Sequence, residues 1–170
     1  MNINNEMDET DLMILEALQR DGRTPLSALG RQIGLSQPAI SERVKRLEES
    51  GVIEGYGARL NLKALGLHTM AIVRLRTTHD KIKPCLKQFA ETPNIIEIHR
   101  VTGEDCFILK VLVPAPEDLE SLIDRIAAFG PVMTSVVLRS EPPRGLNSDI
   151  IRRVIPQRPR ARPIATQTRP

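Results

Sequence analysis

Tryptophan is missing from this 170-residue sequence, and three phenylalanines and one tyrosine are its only aromatic side chains. So few rings argue against single-strand nucleic-acid binding, which stacks successive bases on aromatic faces. Cysteine is almost as scarce. Cys85 and Cys106 stand far apart with no Cys-x-x-Cys spacing, which speaks against a disulfide framework or a zinc site. They read as buried free thiols in a reducing compartment. No apolar run approaches the roughly 20 residues of a membrane span. The stretch Met1 to Asp11 is polar and acidic, unlike a signal peptide. A cytoplasmic protein with no membrane partner is expected. His68, His79 and His99 lack metal-ligand spacing. No P-loop, G-x-G-x-x-G or nucleophile–base pairing stands out, so no metal, cofactor or catalytic residue is expected.

A surplus of one charge is also lacking over most of the chain. The totals are 24 basic and 21 acidic residues, net +3. Residues 1–66 hold 8 basic and 10 acidic side chains, and residues 67–141 hold 9 and 10. Residues 142–170 hold seven arginines against the single Asp149. The positive excess is therefore confined to this last segment. Its six prolines break any periodicity, which predicts a disordered basic tail able to add non-specific phosphate affinity.

What is present is periodicity. Asp8 can cap a helix carrying Ile14, Leu15 and Leu18 on one face, ended by Asp21-Gly22. Thr24-Pro25 opens a second, with Leu26, Leu29 and Ile33 at i, i+3, i+7 and Gly34 as its stop. Ser36 caps a third, about Gln37 to Ser50, with Ile40, Val44 and Leu47 inward. Two such helices joined by a three-residue turn make a helix-turn-helix, placed at about 26–45. Val52–Glu54 and Tyr56–Leu60 read as short extended segments. From Thr69 the rhythm changes to strand, helix, strand, strand, helix, strand. The spacing predicts strands at Thr69–Arg76, Ile95–Thr102, Cys106–Val113 and Val132–Leu138. The fold class is thus α+β, a helix-turn-helix followed by a ferredoxin-like βαββαβ domain. Its expected divisions are 1–60, a linker at 61–66, the second domain at 67–141 and the tail at 142–170. Apolar strands on an open sheet predict dimerisation through that sheet.

In a helix-turn-helix the last helix enters the major groove of double-stranded DNA. Its exposed face here carries Gln37, Pro38, Ser41, Glu42, Lys45 and Arg46 behind the cap Ser36. Gln, Ser, Lys and Glu can read base edges. Arg43, Lys45 and Arg46 can contact phosphates, which position without specifying. The alternative for this face is a solvated surface of a plain three-helix bundle.

The residues Met7-Asp8-Glu9-Thr10-Asp11, Leu18-Gln19-Arg20-Asp21-Gly22-Arg23, Ile33-Gly34-Leu35-Ser36 and Arg43-Val44-Lys45-Arg46-Leu47-Glu48 occur in that order. They are followed by Gly51-Val52-Ile53, Leu65-Gly66, Val101-Thr102-Gly103, Leu109-Lys110-Val111 and Val137-Leu138-Arg139. In these segments, from about residue 7 to 141, the sequence resembles the Lrp/AsnC family of transcriptional regulators. The resemblance implies that the helix-turn-helix is winged, by the extended segments within 52–60, and that the second domain is ligand-responsive, often called RAM; it also implies homodimers that assemble further, up to octamers. It also implies a small-molecule effector, an amino acid, bound near the turn after the second strand. The residues at that place are Thr102, Gly103, Glu104 and Asp105, of which Gly103 and Glu104 match the family, with Met133, Thr134 and Ser135 of the last strand. The turn departs from the family pattern, with Asp105 in an aromatic position and Cys106 where aspartate is usual, so Asp124 is a further candidate. The alternative reading of Gly103–Asp105 is an ordinary hairpin turn. Two other functions share this architecture, a sirohaem-decarboxylase-like enzyme and a sensor acting on a protein partner. A DNA-binding regulator that is not an enzyme is the leading expectation.

Overall fold

A computed structural model describes residues 7–154, which divide into two compact units. The first comprises residues 7–58 together with 143–154, and the second is Arg59–Pro142. The segment 155–170 of the expected tail lies outside the described residues.

The first unit is built on α1 (Glu9–Arg20), α2 (Leu26–Ile33) and α3 (Gln37–Glu49). Asp8 caps α1 and accepts from the Asp11 amide at 3.0 Å, while Asp11 accepts in return from the Asp8 amide at 3.1 Å. This reciprocal box satisfies two amides that the first turn otherwise leaves open. Thr24 does not cap α2 as expected. Its hydroxyl donates back to the Asp21 carbonyl at 2.9 Å, and Pro25 itself is the N-cap. Gly34 closes α2 at φ 83°, and Ser36 caps α3 by accepting from the Ala39 amide. Ile14, Leu29, Ile40 and Leu47 are almost fully buried where the three helices meet, each worth roughly 1.5–3 kcal/mol relative to exposure.

Two further expectations change in this unit. Residues 52–60 form no paired strand. Val52 and Ile53 instead pack on the helical core, and the segment beyond carries Gly55 and Gly57. An isolated hairpin is marginal in water, so the wing is not realised within one chain. The expected disorder from Pro142 also gives way, because Ser148–Val154 forms a helix, α6, that packs on α1. Its buried Ser148 and the seating of Ile151 against the core give the segment an apolar footing that its composition hides.

The second unit carries β1 (Thr69–Leu75), α4 (Ile82–Ala90), β2 (Ile95–Arg100), β3 (Phe107–Val113), α5 (Asp118–Ala127) and β4 (Val132–Val136). The strands pair antiparallel in the order β2-β3-β1-β4. This is the expected βαββαβ plan, with strand ends one or two residues shorter. Alternation sends Ala71, Val73, Leu75, Phe107, Leu109 and Val111 to one face, where α4 and α5 cover them with Cys85, Phe89, Leu119, Leu122 and Ile126. Phe89 meets Phe107 edge-to-face at 5.4 Å. The other face presents Met70, Ile72, Arg74, Ile108 and Lys110, all half-buried. Cys85 is buried and Cys106 half-buried, both as free thiols, and burial pushes the Cys85 thiol up.

Candidate nucleic-acid interface and effector site

The turn between α2 and α3 depends on Gly30. A β-carbon there would come within 2.7 Å of the Leu35 carbonyl oxygen, so only glycine lets the backbones approach. The Gly34 and Leu35 amides both donate to the Gly30 carbonyl, at 2.8 and 2.9 Å. That pattern ends α2 abruptly and turns the chain into α3. The first turn of α3 holds no acidic residue, leaving the positive end of its dipole uncompensated.

Ser36, Gln37, Pro38, Ser41, Glu42, Lys45 and Arg46 are all exposed, so these seven candidate contact residues share the open side of one helix. Gln37, Ser41 and Lys45, spaced by four, form its central stripe. Ser41 and Lys45 also line a groove of about 380 Å³ with Thr24, Pro25 and Leu26. Arg43 is placed differently. Its Nη1 donates at 2.9 Å to both Asp8 and Asp11, and Arg46 Nη2 donates to both oxygens of Asp11. Asp11 is completely buried. Arg43 thus binds α3 to α1. Arg46 is shared between that network and the exposed face. The Asp8 carboxyl lies below its usual range. Partial burial pushes it up, but the Asp11 amide and the Arg43 guanidinium outweigh that. Lys45 pairs with Glu49 at 3.6 Å in the open, a contact worth little in water.

The pairing of these aspartates with Arg43 and Arg46 escaped the reading of the sequence. A box of Asp8 and Asp11 was legible at three-residue spacing, but partners 32 to 35 residues away were not. Tyr56 was missed as well. Its hydroxyl donates to Glu48 at 2.9 Å, and burial together with that carboxylate pushes its pKa up to about 12.

In the second unit the turn 101–106 and the start of β4 meet at the Leu75 end of β1, since Leu75 pairs with both Phe107 and Val132. Gly103 turns the chain at φ 111°. Thr102, Gly103 and Glu104 are exposed there and Asp105 is half-buried. Arg74, which the sequence reading passed over, reaches across this corner. Its Nε lies 3.7 Å from Asp105, and its Nη2 meets the Met133 sulfur. An arginine in the otherwise apolar alternation of β1 was the signal. Met133 and Ser135 are exposed and pair with Arg74 and Ile72 on the open face. Thr134 points the other way, beside Val73, and its Oγ1 is buried with no hydrogen-bond partner among the described residues. Asp124 is exposed on α5, in the layer that covers the opposite face, so it is not gathered with Asp105 and Met133. No cluster of three or more potential metal ligands occurs among the described residues. No helix among them is long and apolar enough to cross a membrane.

Known proteins match both units. Residues 7–48 match the AsnC-type helix-turn-helix domain, and residues 70–145 match the Lrp/AsnC ligand binding domain. The HTH-type transcriptional regulator YezC of Bacillus subtilis is 40% identical over 138 residues, spanning 79% of this chain and 95% of that protein. The regulator FL11 of Pyrococcus furiosus is 32% identical over 123 residues, 72% of this chain and 82% of its own. Among solved structures, LrpC of B. subtilis superposes with a TM-score of 0.77 at 30% identity, covering 82% of this chain and 99% of that one. A feast or famine regulatory protein from M. tuberculosis, complexed with L-methionine, gives 0.76 at 28% identity, covering 84% and 99%. These relatives are transcriptional regulators and not enzymes, which sets aside the decarboxylase alternative. A DNA-binding helix-turn-helix, a four-stranded ligand-binding domain and relatives matched over most of both lengths together make this chain a transcriptional regulator of the Lrp/AsnC family.

Proposed function

We propose that this regulator reads duplex DNA with the exposed side of α3, in an oligomer of identical chains, and that an amino acid adjusts its assembly or affinity. The supporting observation is the stripe Gln37, Ser41 and Lys45 on a helix whose first turn carries no acid. Gln37 sits nearest the base edges and Lys45 against a phosphate. The chromosome it regulates puts it in the cytoplasm. Gln37→Ala is expected to cost about 1–3 kcal/mol on the cognate site and little on random duplex. Lys45→Ala should weaken both alike and reduce the salt slope by about 0.9 per chain. Gel shifts over a salt series on DNA upstream of its own gene read both effects. An unselective, salt-insensitive shift would sink the reading.

The amino-acid part rests on the corner where Arg74 and Asp105 stand 3.7 Å apart. A zwitterion needs one cation and one anion, and this pair is loose enough to be opened by one. The half-apolar open face of the sheet supports assembly through it, and the relative solved with L-methionine supports the ligand class. In sedimentation the chain should run as a dimer or larger, with L-methionine or another amino acid shifting the distribution. Arg74→Ala should abolish that shift. A monomer indifferent to every amino acid would refute this half.

A further inference from the structure

In the first unit many charges are answered within the chain. Arg43 and Arg46 are paired with Asp8 and Asp11. Arg152 of α6 clasps Glu9, with Nη2 at 2.7 Å and Nε at 2.9 Å. The second unit differs in its helical layer. Its ion pairs are Arg74 with Asp105, Glu97 with His99 and Lys110, and Arg139 with Glu141. These lie on the strands or on the chain that follows them. No ion pair among the described residues involves a side chain of α4 or α5.

Those two helices are nonetheless charged, and oppositely. α4 carries Lys83 and Lys87 and no acidic residue, with Lys81 as its N-cap. Asp80 and Glu91 stand just outside its ends. On α5 and its N-cap, Glu117, Glu120 and Asp124 follow one another at spacings of three and four. The other two charges there are turned to their own backbone. Asp118 accepts the Ala115 amide at 2.9 Å, and Arg125 Nε donates to the Ser121 carbonyl at 3.3 Å. Cys85 and Phe89 of α4, and Leu119, Leu122 and Ile126 of α5, face the sheet. The two lysines and three carboxylates are all exposed, on the outward sides that this burial leaves. Lys83 and Lys87 lie about 6 Å apart along their helix, and the three carboxylates span about 10 Å of theirs. The lysine pair therefore fits within the length of the acidic stripe. Leu86 adds an apolar contact beside the lysines, being 43% exposed.

A layer made of one basic and one acidic helix is complementary to itself. A twofold axis parallel to the helices, between two facing layers, sets α4 of each copy over α5 of the other. Every pairing then occurs twice. An axis across the helices would instead bring lysine onto lysine and carboxylate onto carboxylate, which is repelled. We propose that this helical layer is a self-association surface, on which Lys83 and Lys87 of one copy meet Glu117, Glu120 and Asp124 of a second. It lies on the side of the unit opposite the open sheet face. It joins dimers formed through that face into larger assemblies, and in this respect it rests on the oligomer reading above. Single exposed ion pairs contribute little. The contact works because the pairs are several, doubled by symmetry and accompanied by Leu86, and it is correspondingly sensitive to salt.

Sedimentation of the full chain at about 0.05 M and about 0.5 M salt should show assemblies larger than a dimer at the lower value and dimers at the higher. Lys83→Glu with Lys87→Glu makes both helices acidic. Glu120→Lys with Asp124→Lys makes both basic. Each variant alone should associate beyond the dimer at least about tenfold more weakly than the parent. Mixed in equal amounts, the two should regain the larger assembly, because each supplies the sign that the other has lost. Recovery on mixing also shows that both variants are folded. A parent chain that stays dimeric at low salt overturns the proposal and leaves the sheet contact standing. A salt-sensitive equilibrium between monomer and dimer, abolished by either reversal, keeps the helical contact and removes the sheet contact. Variants that assemble like the parent overturn the proposal, as do variants that stay apart when mixed. Loss of duplex binding by the Lys83→Glu, Lys87→Glu chain with its assembly unchanged reassigns those lysines to phosphate and overturns it too.

Discussion

Asp11→Ala is expected to destabilise the DNA-binding unit by about 2–4 kcal/mol, toward the lower part of the range for breaking a buried ion pair, because both arginines keep some contact with water. The carboxylate is completely buried. It accepts from Arg43, twice from Arg46 and from the Asp8 amide. Alanine would leave two guanidiniums without their shared anion and open half of the α1 capping box. At 26% and 45% side-chain exposure Arg43 and Arg46 can turn partly to solvent, which limits the loss. Thermal or urea unfolding followed on α1–α3 measures it. A loss below about 0.5 kcal/mol would mean that the arginines rehydrate freely and that the network holds nothing together. The same network sets an acid sensitivity. Because the folded Asp8 carboxyl lies below the usual carboxylate range, its contribution is present above the unfolded pKa and fades as pH falls through the folded one.

Gly130→Ala should be costlier still, about 3–5 kcal/mol from strain and overlap together. Gly130 has φ 152°, which side-chain-bearing residues rarely adopt, and a β-carbon there would overlap the Arg76 carbonyl oxygen. The surroundings cannot yield easily. The Arg76 amide donates to the Pro131 carbonyl at 3.0 Å and the Thr77 hydroxyl to the Phe129 carbonyl at 2.7 Å, so this loop is stitched to the end of β1 on both sides of the glycine. For a domain of this size the midpoint of the ligand-binding unit should drop by roughly 15–25 °C. Amide exchange should rise across β1 and β4 first. A midpoint within a few degrees of the parent would show that the loop relaxes around the methyl group.

Most helices and strands were legible because each repeats its apolar residues with the period of its own geometry. Ile40, Val44 and Leu47 mark α3, and the buried odd positions of β1 mark a strand. The exposed side of α3 followed directly from which residues those periods leave over. Long-range pairings did not follow. Nothing local distinguishes Arg43, held by α1, from Lys45, exposed beside Glu49. For the same reason Arg74 and Asp105 could not be paired, nor Asp124 separated from Met133. The helix α6 was misread because prolines and arginines dominate its neighbourhood. Its signals were nonetheless present. Asn147 Oδ1 accepts the Asp149 amide at 2.8 Å, and Ile151 and Val154 stand three apart.

The clasp between Glu9 and Arg152 joins residues 143 positions apart. A ribosome adding about 5–20 residues per second needs roughly 7–30 s to cover that interval. During it, α1 to α3 can fold beside an uncovered flank of Leu15, Leu18 and Val52, and the whole ligand-binding unit emerges in between. The DNA-reading part of each nascent chain is therefore first to form and last to be finished. A chain stopped before Ser148 would hold α1 to α3 and the whole ligand-binding unit, but with its seam unsewn.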